Sequence, residues 1–278
     1  MAKYSNDLII NMDETPIFFN PEIKGIIAKK ESKDVVIHIQ SQEKQRCSLI
    51  LSIAASGKKW KPLIIFNREN SKYLNNKINE IKEFKEGKAF YAINRNAWMT
   101  KEIFQFYIKN VYNEYIIDVT GIEGFESFLI LDQATAHLGD ECESICFQNS
   151  INISFIPKGL TSICQPLDVS VNGPFIKRIK NEYIQCLCNK EIGSNEKVTR
   201  NDVVKWITKC WYDDSDLEAA KIWKSFLYCG ISNSLDGSQD NEIRIWKWLK
   251  DKLPINTISN IEEVKKEEIQ LDNDCYLD

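Results

Sequence analysis

Histidine is almost absent: His38 and His137 are the only two in 278 residues. Triad-type hydrolysis needs a nucleophile beside a base, and the G-x-S-x-G turn that presents a serine nucleophile does not occur. There is also no P-loop and no glycine-rich dinucleotide turn, so the sequence offers no cradle for a small-molecule cofactor. No apolar run approaches the ~18–20 residues of a membrane span. The opening MAKYSNDLII has no signal-peptide core. No membrane association and no secretion are expected. The nine cysteines are an odd number, scattered without a paired framework, and predict reduced thiols. Cys142 and Cys146 lie near His137, and Cys186 and Cys188 are two apart, but neither pair has a matching partner pair. Structural zinc is therefore not expected, and buried free thiols are.

What is present is an ordinary globular composition, 43% apolar and 27% charged, long enough to bury a sizeable core. The net charge of −4 argues against a uniformly basic nucleic-acid coat. It is also unevenly placed. Residues 262–278 hold seven acids against Lys265 and Lys266, a net of −5, which leaves the other 261 residues at +1. This end reads as a solvated, disordered tail. There are no internal repeats.

Residues 8–19 (LIINMDETPIFF), 34–40 (DVVIHIQ), 47–55 (CSLILSIAA) and 62–66 (PLIIF) read as strands. The turn signal SGKK at 56–59 makes a hairpin of the last two. Thr100 predicts an N-cap for a helix over 102–116, where Ile103, Phe106, Tyr107, Val111 and Tyr115 recur at helical spacing. The short strands FLIL (128–131) and NISFI (152–156) follow. Pro174 predicts the first position of a helix reaching Cys188, and 216–228 and 242–252 read as further helices. Residues 67–88 are polar and read as a long loop or short irregular helices. A meander followed by alternating strands and helices implies an α/β mixed sheet.

The carboxylates carry the chemical signal. Asp13 lies inside an apolar strand and Asp132 closes FLIL, and both positions are costly without partners. Taken alone, Asp13 is equally a hydrogen-bonded strand acid, and Asp132 equally an N-cap. Acids on neighbouring strands are also a natural site for a hard cation such as Mg²⁺, which prefers oxygen ligands.

Several motifs then fall in order. NMDETPIFF (11–19), the hairpin over 47–66, AWMT (97–100), LDQATAH (131–137), IPKGLTSICQPLDVSVNGPF (156–175) and FLYCGISNSLDGSQD (226–240) resemble the DDE endonuclease domain of pogo-type transposases. These are the Tigger/Jerky/CENP-B-like group of the Tc1/mariner superfamily. The resemblance implies an RNase H-like fold: an antiparallel meander, then alternating β/α units, with helices on both faces and a helical C-terminal extension. It implies Asp13, Asp132 and Asp168 as catalytic and metal-binding residues, the last two 36 positions apart. Two Mg²⁺ or Mn²⁺ ions roughly 3.5–4 Å apart would clamp the attacking and leaving oxygens of a phosphodiester. Asp13 would bridge them. His137 is an accessory candidate, alternatively a structural histidine. Lys158, Gln165, Lys177, Arg178 and Lys180 are DNA-binding candidates. For Gln165 the alternative is to hold the Asp168 loop; for the helix cations it is a solvated face. The tryptophans are expected to build a C-terminal core.

The domain is expected over 1–240, with a C-terminal helix over 241–261 and the acidic tail over 262–278. DNA is the expected partner, homodimers the implied assembly, and the nucleus the implied location. Full-length relatives carry an N-terminal helix-turn-helix, for which the dozen or so residues before Asp13 leave no room. An inactive, domesticated nucleic-acid-binding or assembly protein on the same fold is the alternative, and an RNA/DNA-hybrid nuclease a weaker one.

Overall fold

The computed structural model describes residues 4–21, 45–67, 78–189, 197–213 and 217–245. The expected strand at 34–40, most of the helix expected at 242–252 and the acidic tail lie outside the described residues.

A six-stranded sheet runs in the order β4-β3-β2-β1-β5-β6. The strands are β1 (Ile9–Phe18), β2 (Arg46–Ala54), β3 (Leu63–Asn67), β4 (Phe90–Asn94), β5 (Ser127–Asp132) and β6 (Ile151–Ile156). β1, β2 and β3 form the expected antiparallel meander; β5 joins β1 in parallel, and β6 joins β5 in parallel. This is the RNase H-like arrangement, extended by β4, which lies parallel on the free side of β3. No strand is expected from the sequence at 90–94. FYAIN is half-buried at every position, so it shows neither alternation nor an apolar run, the two patterns by which strands are read.

Side chains alternate across the sheet, and the two faces carry two separate cores. One face holds Ile9, Leu49, Leu51, Ile64 and Phe66 against Phe175, Ile207, Trp211 and Phe226. The helices supplying these are α6 (Asn172–Cys188), α7 (Arg200–Tyr212) and α8 (Ala219–Tyr228). The other face holds Ile10, Met12, Ile65, Leu129 and Leu131 against Phe104, Tyr107, Ile108 and Cys146. Its helices are α2 (Lys101–Phe106), α3 (Asn113–Thr120) and α4 (Asp140–Gln148). The short α1 (Lys82–Lys85) precedes β4, and α5 (Thr161–Cys164) follows β6.

Thr100 caps α2 as expected, its Oγ1 accepting from Ile103 N at 3.3 Å. The rod does not continue as plain α-helix: Tyr107–Tyr112 is π-helical and links α2 to α3. Two buried tyrosine hydroxyls in this segment meet the sheet, Tyr107 pairing with Ser52 Oγ at 2.8 Å and Tyr112 donating to Ser127 Oγ at 2.9 Å. A widened turn aims both hydroxyls at partners that an apolar strand would otherwise leave unpaired. A second π-helical segment, Leu167–Val171, leads into α6. Helical rotation therefore starts after Pro166, and Pro174 falls inside the helix rather than at its first position. α7 was not foreseen, although its capping box is complete: Thr199 and Asp202 bond each other's backbone N–H groups. Trp211 is fully buried and donates to Trp60 O at 2.7 Å, as the tryptophan reading expects, whereas Trp223 and Trp98 stay exposed. The eight cysteines among the described residues are free thiols, and no described helix is long and apolar enough to cross a membrane.

The β2–β3 turn is pinned at Gly57, whose φ is +97° and whose missing Cβ would lie 2.5 Å from Ala219 O at the start of α8. Gly57→Ala meets both a left-handed backbone and a clash, and is expected to cost at least about 1–3 kcal/mol. Urea denaturation of the two proteins measures this; equal midpoints would show that the turn can shift away from α8.

Candidate active site

Three chain segments carry the acids, and one side chain ties them together. Asn11 lies on β1, fully buried, two residues before Asp13. Its Nδ2 donates to Ile130 O at 3.0 Å, two residues before Asp132 on β5. Its Oδ1 accepts from Leu167 N at 3.0 Å, the residue before Asp168. The same register that pairs Asn11 with Ile130, carried two residues on, sets Asp13 level with Asp132. Both residues then project to the face on which α6 packs, because side chains of one parity share a face.

Asp13 is 9% exposed on the central strand. Its Oδ2 accepts from Asn172 Nδ2 at 2.7 Å, and the same nitrogen donates to Asp168 Oδ1 at 2.9 Å. One amide therefore joins the first and third acids. Burial pushes the Asp13 carboxyl up to about 8; the Asp168 charge adds to this, the Asn172 hydrogen bond opposes it, and the Asp132 charge raises it further. Both other acids are thus within electrostatic reach of Asp13. Asp168, in the first turn after Pro166, is exposed.

Asp132 ends β5, and its Oδ1 takes two bonds, from Ala134 N at 3.3 Å and from His137 Nδ1 at 2.9 Å. The His137 bond holds this carboxyl below the usual carboxylate range despite its partial burial. His137 is 1% exposed, rests against the Phe104 ring at 5.4 Å, and has a buried Nε2 with no hydrogen-bond partner among the described residues. It touches an acid, so its place is beside the cluster rather than elsewhere in the core.

The donor set suits a hard divalent cation: three carboxylates, all oxygen, with no lysine or arginine among the groups acting on Asp13 or Asp132. The Asp168 and Asp132 charges both act against ionisation of Asp13, which is the condition a bound cation relieves. As the side chains stand, no three carboxylate, imidazole or thiolate groups among the described residues enclose a point where an ion could sit. Asp13 and Asp168 close on the Asn172 amide, and Asp132 closes on His137.

The other candidates divide. Lys158, Lys177 and Lys180 are exposed, the first in the loop after β6 and the other two on the outer side of α6. Gln165 is a correction: it is fully buried, neither end of its amide has a partner among the described residues, and it cannot touch DNA from there. Its backbone joins the Asp168 loop to the start of the helix, with Val169 N donating to Gln165 O at 2.9 Å. Arg178 is also corrected: it donates to Asp213 O at 3.0 Å and pairs with the Asp213 carboxylate at the end of α7, so it fastens two helices. Asn11 and Asn172 were not singled out from sequence. A signal existed for each: an amide inside an apolar strand, and an amide one helical turn after an acid.

The family model described as DDE superfamily endonuclease matches residues 44–226. The chain is similar to the Pogo transposable element with KRAB domain of Mus musculus, 26% identical over 235 residues, covering 83% of this chain and 36% of that protein. It is similar to the human Jerky protein homolog, 22% identical over 250 residues, covering 86% of this chain and 40% of the relative. The chain thus spans little more than a third of these curated relatives. Among solved structures, the mariner Mos1 paired-end complex with Mg aligns with 82% of this chain and 54% of its own, at 14% identity and a TM-score of 0.49.

Two predictions follow from the geometry. Asn11→Leu strands Leu167 N–H and Ile130 C=O in the core, and is expected to cost roughly 2–5 kcal/mol by chemical denaturation. A cost below about 1 kcal/mol would mean that the three segments are held otherwise. Second, between pH 4 and 8 the folded protein holds a proton on Asp13 that the unfolded chain has released. Ion-free stability should therefore fall as pH rises across that window and level off above about 8. Asp13→Asn should flatten this slope; melting curves at several pH values in EDTA decide it.

Proposed function

This chain belongs to the DDE superfamily endonuclease family, and on that premise we propose that it is the metal-dependent DNA endonuclease and strand-transfer domain of a pogo-like transposase or transposon-derived protein. The observation that supports this is the convergence of Asp13, Asp132 and Asp168 from three distant segments, with two of them meeting on one amide. A fold needing only stability has no use for like charges gathered on its central strand, because each costs desolvation and repulsion.

In this reading Asp13, Asp132 and Asp168 hold two divalent ions, Mg²⁺ or Mn²⁺, against the scissile phosphodiester of DNA. When bound, the ions supply positive charge that favours an ionised attacking oxygen and steadies the departing one. The protein's own residues do the rest. β1 fixes Asp13, since the strand is buried there, pairs with β2 at Leu51 and pairs with β5 up to Asn11. His137 orients Asp132 and occupies only Oδ1, leaving Oδ2 to ligate. Asp168, the exposed acid, faces the side from which substrate arrives. Lys158, Lys177 and Lys180 track the DNA backbone and contribute sequence-independent affinity. The catalytic unit lies within residues 1–240, its partner is DNA, its assembly a homodimer and its place of action the nucleus.

A plasmid-nicking assay with and without EDTA tests the catalytic assignment. Wild-type protein should nick with Mg²⁺ or Mn²⁺, and Asp132→Asn should fall to the EDTA background while keeping its circular dichroism. Nicking at the wild-type rate by that variant would remove the acids from the reaction. For the cations, Lys177→Ala should lower DNA affinity irrespective of sequence and reduce the slope of log affinity against log salt by about 1. An unchanged slope would put Lys177 off the DNA path.

A further inference from the structure

Asn172 stands where the π-helical segment gives way to α6, four residues after Asp168, so the two side chains leave the helix on the same side. It is 6% exposed. Its two ends are used unequally. Nδ2 serves both Asp13 and Asp168, at 2.7 and 2.9 Å, while Oδ1 is buried and has no partner. Buried amides normally satisfy both ends, and an oxygen left bare beside a cluster of acids is an exception that calls for a cause.

The orientation is forced in the ion-free state. As it stands, the amide nitrogen is the one donor among the described residues that Asp13 and Asp168 share, and turning it over would set Oδ1 against the exposed Asp168 carboxylate. A lysine here would neutralise the pair and compete with a cation. A serine has one proton and could not serve two acids. The amide does something in between: it draws the two acids to one spot without adding a positive charge. The unpaired oxygen, meanwhile, is the kind of hard donor a divalent ion accepts.

We propose that Asn172 is a fourth residue of the acid site, a positioning residue for cation uptake. Its amide gathers Asp13 and Asp168 in the ion-free protein, and gives way when a divalent ion takes its place between them, turning the unpaired Oδ1 toward the ion. This deepens the function proposed above and rests on it.

The test uses the full chain, Mn²⁺ as probe and two variants. Asn172→Leu removes both ends of the amide at similar size. Asn172→Asp replaces it with a fourth acid. Free Mn²⁺ is followed by electron paramagnetic resonance, and melting temperature is recorded with EDTA and with Mn²⁺. Asn172→Leu should weaken Mn²⁺ binding by about tenfold or more with circular dichroism preserved. Asn172→Asp should melt lower than wild type in EDTA, through like-charge repulsion, and Mn²⁺ should raise its melting temperature by more than it raises that of wild type. A residue that only packs would lower stability in both variants and leave Mn²⁺ affinity unchanged, and that result overturns the inference. If Asn172→Leu does not fold, Asn172→Asp decides: no gain from Mn²⁺ beyond that of wild type overturns it. Wild-type protein that binds Mn²⁺ while Asn172→Leu binds equally well sinks this inference and leaves the acids in place. Wild-type protein that binds no Mn²⁺, with Asp13→Asn indistinguishable from it, sinks both.

Discussion

The site depends on one buried amide. Asn11 reaches from the central strand to a carbonyl on β5 and to an N–H at the head of the Asp168 turn, spanning 119 and 156 residues of sequence. Each of these bonds lies one or two residues from an acid. Hydrogen bonds between neutral groups each contribute modestly to stability, but breaking one in a dry core exposes the full cost of an unsatisfied group. That asymmetry fixes the relative positions of the three segments. The acids are therefore held by a neutral framework set beside them and not by their own interactions, which are repulsive.

The charge arrangement follows from that framework. Asp13 is surrounded by core and by two other acids, so it takes up a proton far more readily than a free carboxylate. Asp132 is the opposite case, kept ionised by His137. Environment has pushed two aspartates of the same kind in different directions, a pattern associated with functional sites. The rest of the molecule is ordinary by comparison. Two apolar cores, one on each face of the sheet, supply the stability that a cluster of acids removes.

How much of this could be read beforehand varies element by element. β1, β2, β3, β5 and β6 were legible because each contains an apolar run or a clear alternation, and Thr100 announced its helix by its capping chemistry. β4 was hidden, since an edge strand half-covered on both sides carries no period. α7 was missed although its signal was there: behind the Thr199–Asp202 capping box, Val203, Val204, Ile207, Cys210 and Trp211 recur at helical spacing. Neither π-helical segment had a signal. An inserted residue in a turn answers to the Ser52 and Ser127 hydroxyls on the sheet, and these are remote in sequence. Gln165 and Arg178 were misread for a related reason: a polar residue in a basic, proline-rich stretch looks available to solvent until packing encloses it or an acid from another helix claims it.

Residue type and spacing along the chain were enough for the mixed α/β order, since strands, turns and caps are short-range features, and the ordered motifs carried the family resemblance that implied the three aspartates. Folding alone decided which amides hold the acids, which cations remain open to solvent, and which aspartate prefers its proton. Those outcomes depend on groups such as Asn172 and Asp13, 159 residues apart yet sharing a hydrogen bond. Burial and neighbouring charge, the two quantities that govern them, exist only once distant segments have been brought side by side.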